Sequence, residues 1–214
     1  MITFSDVTLK YTKEFCALNK VSFNISSGDV VALYGGKDSG KSCILRLIAG
    51  LEKPTSGEVY IGTTDVKDIN FQTDFSLGYI PYKGSFFEDK TVYDNLKYIL
   101  KVRGVNEAEQ ENLINKSLID FKLESIKDEK VKNLPLFTKY VLSIVRLTYR
   151  KLDLLLVDNI FEELSEAENK KIFSLIKKYF IKNTSAIIYA TSDEETSKLI
   201  STKVIKLEQG VVLD

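Results

Sequence analysis

Apolar and polar residues alternate through ITFSDVTLKY and again through ALNKVSFNIS. A two-residue period is that of strands with one buried face, so both stretches predict strands. SGDVVALYGG begins as a turn and becomes an unbroken apolar run, which predicts a strand buried on both faces. From Lys41 to Leu51 the period lengthens, and Ile44, Leu45, Leu47, Ile48 and Leu51 predict a helix. KPTSGEVYIG and FSLGYIP predict two further strands. Between about Thr91 and Asp128 apolar residues three and four apart among charges predict helix. A second helix is expected from Leu136 to Arg150, with Pro135 near its first turn, where a missing N–H costs nothing. The strand LDLLLVD, a helix from Glu166 to Phe180, the strand SAIIYAT, a helix from Asp193 to Ile200 and a strand pair around Gly210 complete the series. The pattern predicts one α/β domain over residues 1–214, with a core of about 1–84 and 135–214 and a mainly helical insertion of about 85–134.

Composition narrows the function classes. The chain has 214 residues, with 30 Lys and Arg against 30 Asp and Glu, so no net positive charge marks a nucleic-acid partner. The longest apolar runs, ILRLIAGL and LLLV, fall far short of the ~20 residues that cross a bilayer. The opening MITFSDVTLK lacks the apolar segment of a secretory signal, and the expectation is a cytoplasmic protein. Two cysteines, Cys16 and Cys43, make no disulfide framework and are expected to be reduced. The chain has no histidine, so no imidazole base or histidine metal site can exist.

YGGKDSGKS carries the chemistry. Gly35, Gly40, Lys41 and Ser42 match G-x-x-x-x-G-K-[ST], and an apolar strand precedes the loop while an apolar-faced helix follows. Such a loop turns backbone N–H groups around the phosphates of a nucleotide and adds the positive helix N-terminus. The expected phosphate-binding residues are Gly35, Gly36, Lys37, Asp38, Ser39, Gly40, Lys41, Ser42 and Cys43. Lys41 supplies a mobile cation and the Ser42 hydroxyl a magnesium ligand. Asp38 places a negative charge in this loop, a repulsion on the order of 1 kcal/mol that Lys37 offsets in part.

Taken in order, the segments resemble the nucleotide-binding domain of ATP-binding cassette (ABC) transporters across essentially the whole chain. ALNKVSFNISSGDVVALYGGKDSGKSCILRLIAGLEKPTSGEVYIG is similar to that family's N-terminal half. LGYIP followed by FFEDKTVYDNL resembles its glutamine loop and entry to the helical subdomain, LLLVD its Walker B strand, and AIIYATSD its switch-histidine strand. The resemblance implies an α/β P-loop NTPase core of the ABC ATPase type, with an N-terminal antiparallel β subdomain and a mainly helical insertion. It implies ATP and Mg²⁺ as ligands, Tyr11 stacking on adenine, and Asp158 with Ser42 at the metal. It also implies partners: a second ABC-type nucleotide-binding subunit, a membrane-embedded transporter subunit, or both, holding the chain at the inner face of the membrane. In that family two domains pair head to tail, each ATP lying between one phosphate loop and the other subunit's signature motif.

The resemblance breaks where catalysis is done. Tyr82 stands at the family's glutamine, LPLFT (Leu134 to Thr138) at its L-S-G-G-Q signature, Asn159 at its catalytic glutamate, Ser165 at the aspartate after Walker B, and Ser192 at its switch histidine. Glu162 and Glu163 are nearby carboxylates, but residues three or four beyond a strand end are expected to point elsewhere. The implied function is an ATP-binding subunit with little or no hydrolysis of its own. Alternatives are a weak ATPase that powers transport, with Glu162, Glu163 or a partner residue in place of the missing base, and a soluble ATP-binding regulatory module.

Overall fold

The computed structural model describes residues 1–71 and 73–213. The chain runs through β1 (Ile2–Lys10), β2 (Cys16–Ile25), β3 (Val30–Tyr34), α1 (Lys41–Ile48), β4 (Ser56–Ile61), β5 (Thr64–Asp65) and β6 (Leu77–Ile80). It continues through α2 (Val92–Val102), α3 (Glu107–Phe121), α4 (Leu136–Thr148), β7 (Leu154–Val157), α5 (Glu166–Tyr179), β8 (Ala186–Thr191), α6 (Glu194–Lys198), β9 (Lys203–Glu208) and β10 (Val211–Leu213).

Two sheets result. The smaller, in order β2-β1-β4-β5, is antiparallel, with Ile2 opposite Ile25 and Ile61. The larger, in order β10-β9-β3-β8-β7-β6, is parallel from β9 to β6, and β10 joins its edge antiparallel. Its central strands read as unbroken apolar runs because both faces are covered. Val31, Leu33, Leu154, Leu156 and Ile188 pack on α1 and the small sheet. Their neighbours Val30, Ala32, Leu155, Val157, Ile187 and Tyr189 pack on α2 to α5. The period of two thus sends alternate side chains into two cores, each fully buried aliphatic side chain contributing about 1.5–3 kcal/mol. Residues 85–134 hold α2 and α3, whose Leu96, Leu100, Ile114 and Leu118 share one core with α4 and α5.

Local chemistry explains the element ends. Thr91 and Asp94 form a capping box on α2, and Ser165 forms one with Glu168 on α5. Asn95, fully buried, has every hydrogen-bonding edge occupied, donating to Phe87 O and Thr91 O and accepting from Phe87 N.

Some expected boundaries are corrected. The helix from Lys41 stops at Ile48, because Gly50 turns left-handed at φ +66° and the Leu51 N–H bonds back to Arg46 O. The helical stretch after Thr91 is two helices broken near Gly104, at φ +73°. The helix expected from Asp193 to Ile200 spans Glu194–Lys198, capped by Asp193, whose carboxylate accepts from Thr196 N at 2.6 Å. β5 was not expected; two residues are too few to show a period. Among the described residues no helix is long and apolar enough to cross a membrane.

Candidate functional site

The carboxyl ends of the parallel strands converge on one edge. β3 delivers Gly35, β7 delivers Asp158 and β8 delivers Ser192, with Tyr34 in register with Thr191. Edges of this kind are where open parallel sheets receive ligands.

The loop from β3 to α1 requires glycine at two points. A Cβ at Gly35 would lie 2.2 Å from Leu207 O and 2.7 Å from Ser39 Oγ. Gly40 has φ +100°, and a Cβ there would lie 2.6 Å from Leu18 Cδ2. No side chain caps α1, so its first N–H groups are left for a ligand. Lys41 is only 4% exposed and its ammonium lies within the loop, donating to Gly35 O at 2.6 Å and Gly36 O at 2.7 Å. Burial pulls this amine below the ordinary lysine range, opposed by the charges of Glu162, Asp158 and Asp38. Asp38 is itself left-handed, at φ +61°, a conformation that aspartate tolerates better than most side chains.

Beside the loop is a corner of oxygen donors. Ser42 Oγ donates to Asp158 Oδ1 at 2.7 Å, and Tyr79 OH donates to Asp158 Oδ2 at 2.9 Å. Burial first, and then the Asp158 charge, hold the Tyr79 phenol above its usual range, so it remains a donor. Asn159 turns left-handed at φ +48° immediately after the strand. Its Nδ2 donates to Ser42 Oγ at 3.2 Å, and its buried Oδ1 has no partner among the described residues. One hydroxyl, one carboxylate and an orphan acceptor suit Mg²⁺, which keeps several waters and takes few protein ligands. No group of three or more Cys, Asp or Glu side chains arranged for a metal occurs among the described residues.

The next wall corrects an expectation. Glu162 does not point away after β7: its Oε1 accepts from Ser192 Oγ at 2.6 Å, and Lys41 Nζ lies 3.3 Å from the same hydroxyl. The left-handed turn at Asn159 redirects the chain and brings this carboxylate back to the cleft. Glu163 does turn elsewhere and accepts from Tyr82 OH.

At the mouth, Tyr11 and Phe15 are 49% and 54% exposed, with near-parallel rings whose centroids are 5.9 Å apart. Tyr11 OH donates to Glu52 Oε1 at 2.7 Å and accepts from Arg46 Nη2 at 3.1 Å. Desolvation, then Glu52, pushes this phenol up to about 12. The result is a fixed ring with a free face. Phe15 was missed, although an aromatic in the turn between two predicted strands was a visible signal. Both cysteines are free, and Cys43 is buried at the cleft wall.

Together these residues line a cavity of about 530 Å³, which includes Lys37 to Cys43, Tyr11, Tyr82, Asp158, Asn159, Glu162 and Ser192. Gly35 and Gly36 do not line it; they reach the site only through the carbonyls that accept from Lys41. The volume is ordinary for a small-molecule site. Pro135 to Thr138 lie outside it, at the start of α4.

A glycine loop at the end of β3, with its lysine turned inward and a carboxylate two strands away, makes the chain a P-loop nucleotide-binding domain. The ABC transporter family model matches residues 18–162, and the chain belongs to that family. It is 32% identical to the methionine import ATP-binding protein MetN of Clostridioides difficile, the match covering 100% of this chain and 68% of that protein. It is 28% identical to the sn-glycerol-3-phosphate import ATP-binding protein UgpC of Psychromonas ingrahamii, covering 99% of this chain. The chain spans 56% of that relative's length. A bacterial ABC transporter cassette solved as a dimer superposes with a TM-score of 0.86 at 25% identity, covering 100% of this chain and 97% of the other.

Proposed function

We propose that the chain is the ATP-binding subunit of an ABC transporter, that it holds Mg-ATP, and that it hydrolyses little or none alone. The observation that carries ATP binding is the buried Lys41 ammonium, held inside a glycine loop beside the Ser42–Asp158 pair. Phosphates would take the loop N–H groups and Lys41, while adenine would stack at Tyr11 and Phe15. Ser42 and Asp158 would hold magnesium, which when bound supplies charge neutralisation across the phosphates. Isothermal calorimetry with ATP and magnesium tests this reading; no binding heat at millimolar ATP sinks it.

Low turnover follows from the strand end. An amide cannot take a proton from water at neutral pH, and Asn159 is already committed to Ser42. Tyr82 is tied to Glu163, and α4 follows Pro135, an N-cap with no side-chain hydrogen bond. Missing γ-phosphate donors and a missing base each cost about 10²–10⁴ in rate, without adding simply. The same reading gives the chain a cassette partner or a membrane-embedded one, which would hold it at the inner face of the membrane.

Asn159→Glu is therefore not expected to restore hydrolysis. A glutamate at φ +48° carries about 1 kcal/mol of strain and loses the donor to Ser42. Phosphate release should remain near the wild-type rate; a rise of about a hundredfold, the scale of one restored base, would show that Asn159 is the sole lesion.

Asp38→Gly should tighten ATP binding. It removes a negative charge at the loop and leaves a left-handed position that glycine occupies freely. The gain should be about fivefold at low salt, from a repulsion on the order of 1 kcal/mol. Asp38 is exposed, so the gain should shrink as salt rises. Equal affinities in dilute buffer would show that Asp38 does not face the phosphates.

A further inference from the structure

A second carboxylate reaches the phosphate end of the cleft, four residues beyond the strand's own aspartate. Glu162 Oε1 accepts from Ser192 Oγ at 2.6 Å, while Lys41 Nζ lies 3.3 Å from that oxygen. The three groups line one cavity with Ser42 and Asp158. Glu162 is exposed, so water reaches it. Its ionised carboxylate can accept a proton, as the Asn159 amide cannot. Glu163 faces Tyr82 instead, so only one of the adjacent glutamates is aimed at this point.

We propose that Glu162, acting through Ser192, is the proton acceptor for the residual ATP hydrolysis of this site. The inference rests on the ATP-binding reading above and names the group that would do its slow chemistry. Ser192 Oγ directs its proton at Glu162, and once Lys41 turns its third N–H from Ser192 to the phosphate the serine's lone pairs are left for water. The water oxygen forms a bond to the γ-phosphorus. The bond from that phosphorus to the bridging oxygen breaks, and its electron pair leaves with ADP. The proton lost by water passes to Ser192 Oγ as the Ser192 hydroxyl proton passes to Glu162. Protonated Glu162 later releases that proton to solvent, so the residue is restored. A relay through a hydroxyl is less direct than a carboxylate touching the water, which accounts for low rather than zero turnover.

The test measures single-turnover phosphate release and, separately, ATP affinity by calorimetry on the full chain. Glu162→Gln should lower release at least about tenfold while ATP affinity stays within about threefold, the split expected for a group used only in the transition state. Glu162→Asp should keep part of the rate, Ser192→Ala should lose most of it, and Glu163→Gln should match the wild type. Glu162→Gln or Ser192→Ala releasing phosphate at the wild-type rate with ATP still bound overturns the proposal. So does a wild type that binds ATP and releases no more phosphate than Glu162→Gln. A wild type that gives no ATP binding heat fails at the earlier step, which the calorimetry alone reveals.

Discussion

Lys41→Ala should reduce ATP affinity at least about 100-fold, below calorimetric detection, because each charge-assisted hydrogen bond it offers a phosphate is worth about 1.5–3 kcal/mol. The side chain is 4% exposed and its ammonium is already held inside the loop by Gly35 O and Gly36 O. Little ordering entropy therefore remains to be lost when a phosphate arrives. Lys37 cannot replace it, since it is exposed at the cleft wall and its charge is screened by water. The fold should survive, because the space that the lysine side chain vacates opens onto the cleft and lets water reach the Gly35 and Gly36 carbonyls left behind. Thermal unfolding checks this independently: an unchanged midpoint with lost ATP heat assigns the effect to binding. Equal affinity for ATP in the wild type and Lys41→Ala would refute the phosphate-loop reading.

That experiment probes the part of the site that was most legible in the sequence. The loop could be read because its spacing is local: Gly35 to Ser42 sit between an apolar strand and an apolar-faced helix, and backbone geometry does the rest. The same held for the large sheet, whose central strands are unbroken apolar runs. The groups that needed tertiary structure were not legible. Tyr79 lies on the short strand β6, where Gly78 and Ile80 are buried, and only strand pairing with β7 brings its hydroxyl to Asp158. Glu162 was expected to point away, since nothing in the string LLLVDNIFEEL reveals that Asn159 turns left-handed. Phe15 sits in a turn whose closure against Tyr11 depends on the hairpin register. In each case the short-range pattern does not say which face meets the cleft, and for Glu162 it pointed the wrong way.

Pairing is where the largest effect on assembly is expected. In the head-to-tail arrangement inferred for the family, each ATP is gripped by the partner's signature segment at a helix N-terminus. At the position proposed for that segment stands LPLFT, where Pro135 is the N-cap of α4, makes no side-chain hydrogen bond and has no N–H to give. Leu136 and Phe137 pack against the core cluster of α4 and α5, and Lys171 Nζ lies 5.9 Å from the Phe137 ring. These side chains are thus anchored, and they bring no hydroxyl to a facing phosphate. A homodimer would set the segment against both ATP molecules, so ATP should not drive a closed symmetric dimer of this chain. A partner with an intact signature would clamp the ATP held at Lys41, while its own ATP would face Pro135 to Phe137 and be held poorly. The resulting heterodimer should be asymmetric, and the low turnover proposed for this chain would keep its site shut longer. Mass alone cannot decide this, since dimers through other surfaces are compatible with it. An ATP analogue photoreactive at its γ-phosphate can: on this chain alone it should label the loop around Lys41 and leave Pro135 to Thr138 unmarked. Label at both places, with ATP-dependent doubling of mass, would show a closed homodimer and sink the asymmetric reading.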